Sequence, residues 1–168
     1  QSVWQSIENA GYAPQSLNQS KTGLFVAFYN NEYGELLGEL EVEKSSEPYL
    51  GTTLSGTIKA NRISYILGLN GPSEVYDTAC SSSLVALHRA TQAIAAGDCD
   101  QALVAGVSLL LTANRVVSLS KMGILNESDI CNPFSYPANK EVIGEGVGAL
   151  WVKPLDQAMA DQDYIYAV

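Results

Sequence analysis

The chain has 168 residues, 46% of them apolar and 16% charged, and a formal net charge of −9. A chain of this length can bury roughly 70% of its unfolded surface in a single core, and the composition excludes intrinsic disorder. Its net negative charge and few, scattered Lys and Arg side chains disfavour a polyanionic partner, whether nucleic acid or an anionic membrane surface.

Val3, Trp4, Ile7 and Ala10 recur at helical spacing, Gly11 stands where that helix would stop, and Pro14 follows. Residues 22–29, TGLFVAFY, form a continuous apolar run of strand length, the pattern of a strand buried on both faces. From Asn30 to Pro48 the chain is polar and acidic; it has a weak helical element around Leu36 to Leu40 and otherwise reads as surface. Ile58, Ile63, Ile66 and Leu67 are spaced for an amphipathic helix that Gly68 and the following NGP would end. The unit after it is the informative one: SEVYDTA (73–79) reads as a strand. The helix that follows is serine-rich at its start, carries Leu84, Leu87, Thr91 and Ile94 on one face and ends at Gly97. DQALVAGVSLLL then reads as another strand, giving a βαβ unit and a parallel sheet. An irregular stretch from Met122 to Glu141 leads to a glycine-rich strand, VIGEGVGALWVKPL. A short helix with Asp156 as N-cap follows, and YIYAV begins one more strand.

Three widely spaced cysteines, Cys80, Cys99 and Cys131, suit neither a disulfide framework nor a CxxC metal pattern, and point to a reducing, cytoplasmic setting. The opening residues lack the basic and apolar runs of a signal peptide, and no window approaches the length of a membrane span. The chain has no initiating Met and opens inside a helical pattern, as a piece of a longer protein would.

Cys80 falls between a strand and a helix. A thiol has a pKa of about 8.5 and reacts as the thiolate, which the N–H groups and positive dipole end of a helix N-terminus favour. A sharp strand-to-helix turn lifts the side chain out of the sheet, small neighbours such as Ala79 and Ser81 leave room for it, and the Cys80 N–H can serve an oxyanion hole. The competing reading is a small hydrophobe buried at a helix start; for Cys99 and Cys131, which lack any such setting, a buried or incidental role is preferred. His88, the single histidine, lies eight residues along the helix from Cys80. At 1.5 Å per residue that is about 12 Å, too far to act as its base, so a cysteine hydrolase of another fold is disfavoured.

DTACSSSLVALH (77–88), with ANRISYILGLNGPS before it and VAGVSLLLTANRVVSLSKMGILNESDICNPFSYPANKEVIGEGVGALWVKPL after it, closely resembles the β-ketoacyl synthase (ketosynthase) domains of modular polyketide synthases. The opening WQSIENAGYAPQSLNQSKTGLFVAFYNNEYGELL resembles the preceding segment of the same domains, so the likeness spans essentially the whole chain. The resemblance implies a thiolase-like, layered αβαβα α/β fold, with residues 1–168 forming most of its N-terminal half. The family's opening strand and its C-terminal half, with histidines in HGTGT-like and NxGH-like motifs, are absent. It further implies a homodimer in which Cys80 takes an acyl chain from the phosphopantetheine arm of an acyl carrier protein. Condensation with a malonyl unit follows, in polyketide or fatty acid biosynthesis, and no metal or diffusible cofactor is implied. A non-elongating ketosynthase that only passes on its acyl chain is the alternative.

Thr78, Ala79 and Ser81 are carried over as supporting residues around Cys80, and Glu145 as an active-site support. Two departures stand out: PFS at Pro133 to Ser135 where PFD is usual, and Asn139 followed by Lys140 where a glycine is usual. Such variation suits systems whose acyltransferase is supplied separately.

Overall fold

The structure, a computed structural model, describes residues 1–29, 32–39, 52, 55–126, 128, 130–136 and 140–168. Helix α1 (Ser2–Asn9) leads through a 3₁₀ turn, Pro14–Leu17, into strand β1 (Thr22–Phe28), followed by α2 (Glu32–Glu39) and α3 (Gly56–Leu67). Strand β2 (Ser73–Tyr76) enters a 3₁₀ turn, Ala79–Ser81, that runs into α4 (Ser82–Ala95). Strand β3 (Gln101–Ser108), α5 (Ala113–Lys121), β4 (Gly146–Val152) and α6 (Leu155–Ala160) complete the order.

The apolar run at β1 is the centre of the sheet, as its composition predicts: the strand order is β2-β1-β3-β4, and Thr22 to Ala27 are all buried. Its pleat divides the core into two layers. Leu24 and Val26 point with Leu103 toward Val3, Ile7, Ala60 and Leu67 of α1 and α3. Phe25 and Ala27 point with Ala102 and Val104 toward Ala86, Ala90 and Ala93 of α4. Each large side chain so buried contributes about 1.5–3 kcal/mol.

β2 and β3 both run parallel to β1 and on opposite sides of it, so the βαβ crossover passes over the central strand. The sheet is mixed, not purely parallel, because β4 pairs antiparallel with β3.

Several elements differ from the sequence reading. β2 stops at Tyr76, because the Asp77 carboxylate accepts the Ala79 N–H (3.2 Å) and turns the chain out of the sheet. α3 buries Ala60, Ser64 and Leu67 while Ile66 is exposed; adjacent positions lie about 100° apart on a helix, so Ile66 and Leu67 cannot share a face. α4 buries its small residues, and Leu84 is 73% exposed. The alanine stripe permits the close approach to the sheet that Phe25 fills. β3 ends at Ser108, and α5 was not anticipated because it buries none of its residues. Asp156 sits inside the first turn of α6, with Pro154 at the N-cap. Residues 164–168 form no strand and are exposed, with Tyr164 and Tyr166 in edge contact at 4.7 Å between ring centroids. Leu40 and the rest of the polar stretch to Pro48 lie outside the described residues.

One polar knot ties the end of β4 to the first helix. Lys153 pairs with Asp161 (2.7 Å) and with Asp163, while the Tyr12 hydroxyl donates to Asp163 (2.5 Å) and its ring packs edge-on against Trp151. Burial pushes the Lys153 pKa down, but the hydrogen bonds to Asp161 and Asp163 outweigh it and hold the value above its ordinary one. Hydrogen bonding to Lys153 lowers Asp161; burial opposes the shift of Asp163, and Lys153 and Tyr12 overcome it, so both carboxyls sit below the usual range. Depressed carboxyls add stability that is present above their unfolded pKa of about 4 and lost as pH falls through the folded value. The raised lysine adds stability that is complete below its unfolded pKa of about 10.4 and lost only at higher pH. Acid titration of the folded domain is therefore expected to show a loss of stability below about pH 4 that shrinks in Lys153→Met, measured by urea midpoints at stepped pH. An unchanged acid limb in that variant would refute the assignment.

Candidate active site

The three parallel strands β1, β2 and β3 end at one edge of the sheet, and antiparallel β4 begins there. Side chains just beyond a carboxyl edge are placed to meet a ligand. Four segments converge on that edge: the turn holding Cys80, the start of α2, the connection from β3 to α5, and Glu145 immediately before β4.

The cysteine turn is held by short-range hydrogen bonds. Ser82 donates its hydroxyl to the Ala79 carbonyl (2.6 Å) and accepts the Thr78 N–H (2.9 Å). Ser81 donates to the Thr78 carbonyl (2.8 Å) and meets the Thr78 hydroxyl at 2.8 Å. Ala79 takes a left-handed conformation, φ +55°, an unusual state for a residue with a Cβ and a mark of the sharpness of this corner. Cys80 is exposed, at the N-terminal end of α4. The predicted supports Thr78, Ala79 and Ser81 thus form the turn itself.

Gly106 of β3 lies directly beneath α4: a Cβ built there would stand 2.7 Å from the Ser83 Oγ. The glycines of the glycine-rich strand make no such approach: a Cβ at Gly144, Gly146 or Gly148 meets nothing within 4 Å among the described residues. An open groove of about 490 Å³ runs between α4 and β4 as a result, lined by Leu84, Leu87, Gly106, Ser108, Gly148 and Leu150.

Glu145 accepts the Leu110 N–H at 2.7 Å, so it supports the connection after β3; no hydrogen bond joins it to Cys80. His88 is exposed within α4. Cys99 is buried and its thiol is pushed up by burial, while Cys131 is exposed. Ser135 donates its hydroxyl to the Asn132 carbonyl (2.9 Å), closing a local turn, and Asn139 lies outside the described residues. The sequence reading missed Glu32. It is 5% exposed and accepts the N–H groups of Leu111 (2.7 Å) and Thr112 (3.0 Å). An acid just past the end of a doubly buried parallel strand is the one local signal that could have marked it.

The chain is thus an α/β domain with an exposed cysteine on a tight strand-to-helix corner, at the carboxyl edge of a mixed sheet covered by helices on both faces, and its solved relatives below give it the thiolase-like fold that the resemblance implies. The chain belongs to the β-ketoacyl synthase family, whose N-terminal domain matches residues 1–158. It is 43% identical over 98% of its length to polyketide synthase ThaG of Burkholderia thailandensis, and 39% over 99% to polyketide synthase PksN of Bacillus subtilis. Among solved structures it resembles the ketosynthase from module 6 of the bacillaene synthase of Bacillus subtilis, with TM-score 0.84 and 41% identity over 98% of this chain. The oxazolomycin ketosynthase domain OzmH KS7 of Streptomyces albus follows at TM-score 0.83 and 34% identity over 97% of this chain. The chain spans only 3% of those two curated relatives and 27–28% of those two solved chains. Among the described residues, no helix is long and apolar enough to cross a membrane.

Proposed function

We propose that residues 1–168 are most of the N-terminal half of an elongating ketosynthase domain and that Cys80 is its acyl acceptor. The observation that carries the reading is the exposed Cys80 at the N-terminal end of α4. The Cys80 thiolate attacks the thioester carbonyl of an acyl chain on the carrier protein's phosphopantetheine. The carbon–sulfur bond to pantetheine breaks, and the leaving thiolate takes up the proton Cys80 gave up. Malonyl-carrier protein then loses carbon dioxide, and its enolate carbon attacks the acyl-Cys80 carbonyl. That step expels the Cys80 thiolate and leaves a β-ketoacyl chain on the carrier. No metal or diffusible cofactor enters this scheme.

The C-terminal half is proposed to supply the histidines that stabilise the enolate and to cover exposed Leu84 and the groove beside it. The intact domain is proposed as a cytoplasmic homodimer. The 168 residues taken alone are expected not to release carbon dioxide from malonyl-carrier protein, since their one histidine, His88, lies about two helical turns beyond Cys80.

The test is to load the complete domain from an acyl-carrier protein, map the thioester by peptide mass spectrometry, then add malonyl-carrier protein. A thioester on Cys80 followed by β-ketoacyl product is expected. Loading without product assigns the non-elongating function, and a thioester mapped elsewhere refutes the role of Cys80.

A further inference from the structure

We infer that Glu32 is a positioning residue that fixes the turn after β3 and thereby selects which acyl chains Cys80 accepts, an inference that rests on the thioester reading above.

A carboxylate is costly to bury unless its oxygens are taken up. Glu32 is 5% exposed, and its Oε2 takes two consecutive main-chain donors, the N–H groups of Leu111 and Thr112. Its Oε1 has no hydrogen-bond partner among the described residues and faces Arg115 Nη1 at 3.8 Å. Arg115 in turn lies over the Tyr29 ring, 5.3 Å from its centroid. Glu35, one turn further along α2, accepts the Thr112 hydroxyl (3.2 Å) and the Asn114 amide (3.3 Å). Because Glu145 holds the Leu110 N–H from the opposite side, three successive N–H groups, 110 to 112, all end on carboxylates. Hydrogen bonds to charged acceptors are the stronger kind, so the turn is clamped by side chains more than seventy residues before it and some thirty-five after it.

The location gives the clamp its function. The turn leaves β3 just past the point where Ser83, in the first turn of α4, overlies Gly106, and it stands at the end of the groove that contains Gly106 and Ser108. Leu109 and Leu111 are exposed there, so the turn presents apolar side chains at the same carboxyl edge of the sheet as the cysteine corner. On this inference a long acyl chain held on Cys80 runs past this turn, whereas an acetyl group stays at the sulfur. Displacing the turn therefore changes discrimination between chain lengths and leaves the nucleophile alone.

The test uses the complete ketosynthase domain with N-acetylcysteamine thioesters of acetate and octanoate, reading the rate of thioester formation on Cys80 by mass spectrometry. Glu32→Ala is expected to lower the octanoyl-to-acetyl rate ratio about tenfold, since misplacement by an ångström costs up to about a hundredfold. Glu32→Gln, whose amide oxygen still accepts both N–H groups, is expected to stay within about threefold of the parent. The rate of Cys80 alkylation by iodoacetamide should be the same in all three.

An unchanged ratio in Glu32→Ala overturns the inference, and so does an equal fall in Ala and Gln, which would assign the effect to charge and not to the held N–H groups. Absence of Cys80 acylation in the parent overturns the thioester reading instead. Should Glu32→Ala fail to fold, the double variant Glu35→Ala/Asn114→Ala loosens the same turn from exposed positions and must lower the ratio; no change there overturns the inference.

Discussion

Replacing Cys80 by alanine in the complete domain is expected to abolish transfer of the acyl chain from carrier protein, by at least about a thousandfold, while leaving the fold intact. The sulfur is exposed, so its removal opens no cavity, and the hydrogen bonds that shape the corner belong to Thr78, Ser81, Ser82 and the Asp77 carboxylate. Thermal stability should therefore stay within about 0.5 kcal/mol of the parent, as for surface substitutions away from special features. Serine at this position should be nearly as damaging, because an alcohol is a far weaker acid and a far poorer nucleophile at neutral pH than a thiol. Radiolabelled acyl transfer followed by gel fluorography reads the result. Label retained in Cys80→Ala would move the nucleophile to another residue.

Gly71→Ala is expected to cost about 3 kcal/mol of stability and to impair acylation as well, an unusually large effect for one added methyl group. A Cβ at Gly71 would lie 2.5 Å from the main-chain carbon and oxygen of Thr22 and 2.6 Å from the Gly23 nitrogen, and none of these atoms can turn aside as a side chain could. The approach is this close because the chain entering β2 is laced to β1: the Gly71 N–H donates to the Thr22 carbonyl (3.1 Å), and Leu24 donates to the Pro72 carbonyl (2.7 Å). Relief requires β2 to move off β1, and β2 leads within four residues to Cys80. Gly56→Ala, at the start of α3 with nothing within 4 Å among the described residues, is the control and should be neutral or slightly stabilising. Urea unfolding of the two variants beside the parent, with Cys80 alkylation rates, separates the outcomes. Equal stability in Gly71→Ala would mean that β2 is not tied to β1 as described.

Local rules were enough where a single element carried the signal. The unbroken apolar run at residues 22–28 could only be a strand buried on both faces, and it is the centre of the sheet. Gly11 and Gly68, both left-handed, end helices where the spacing placed the ends. Cys80, between a strand and a serine-rich helix start, was visible as a candidate because the motif around it is contiguous in sequence.

Where two elements had to choose each other, the sequence was silent. α4 carries both a leucine stripe and an alanine stripe, and either could face a sheet. The depth of Phe25 and the close approach at Gly106 select the alanines. Glu32 lies in an acidic stretch that reads as solvated, and its partners are main-chain N–H groups about eighty residues away, which no local pattern encodes. The direction of β4 and the close approach at Gly71 are likewise properties of strands meeting. The sequence by itself thus determined the periodicities, the turn chemistry, the cysteine and, through its contiguous motifs, the family. Only the tertiary structure decided which faces are buried and which carboxylates hold the edge of the site, because burial and hydrogen-bond partnership belong to pairs of segments and are fixed only when the chain brings them together.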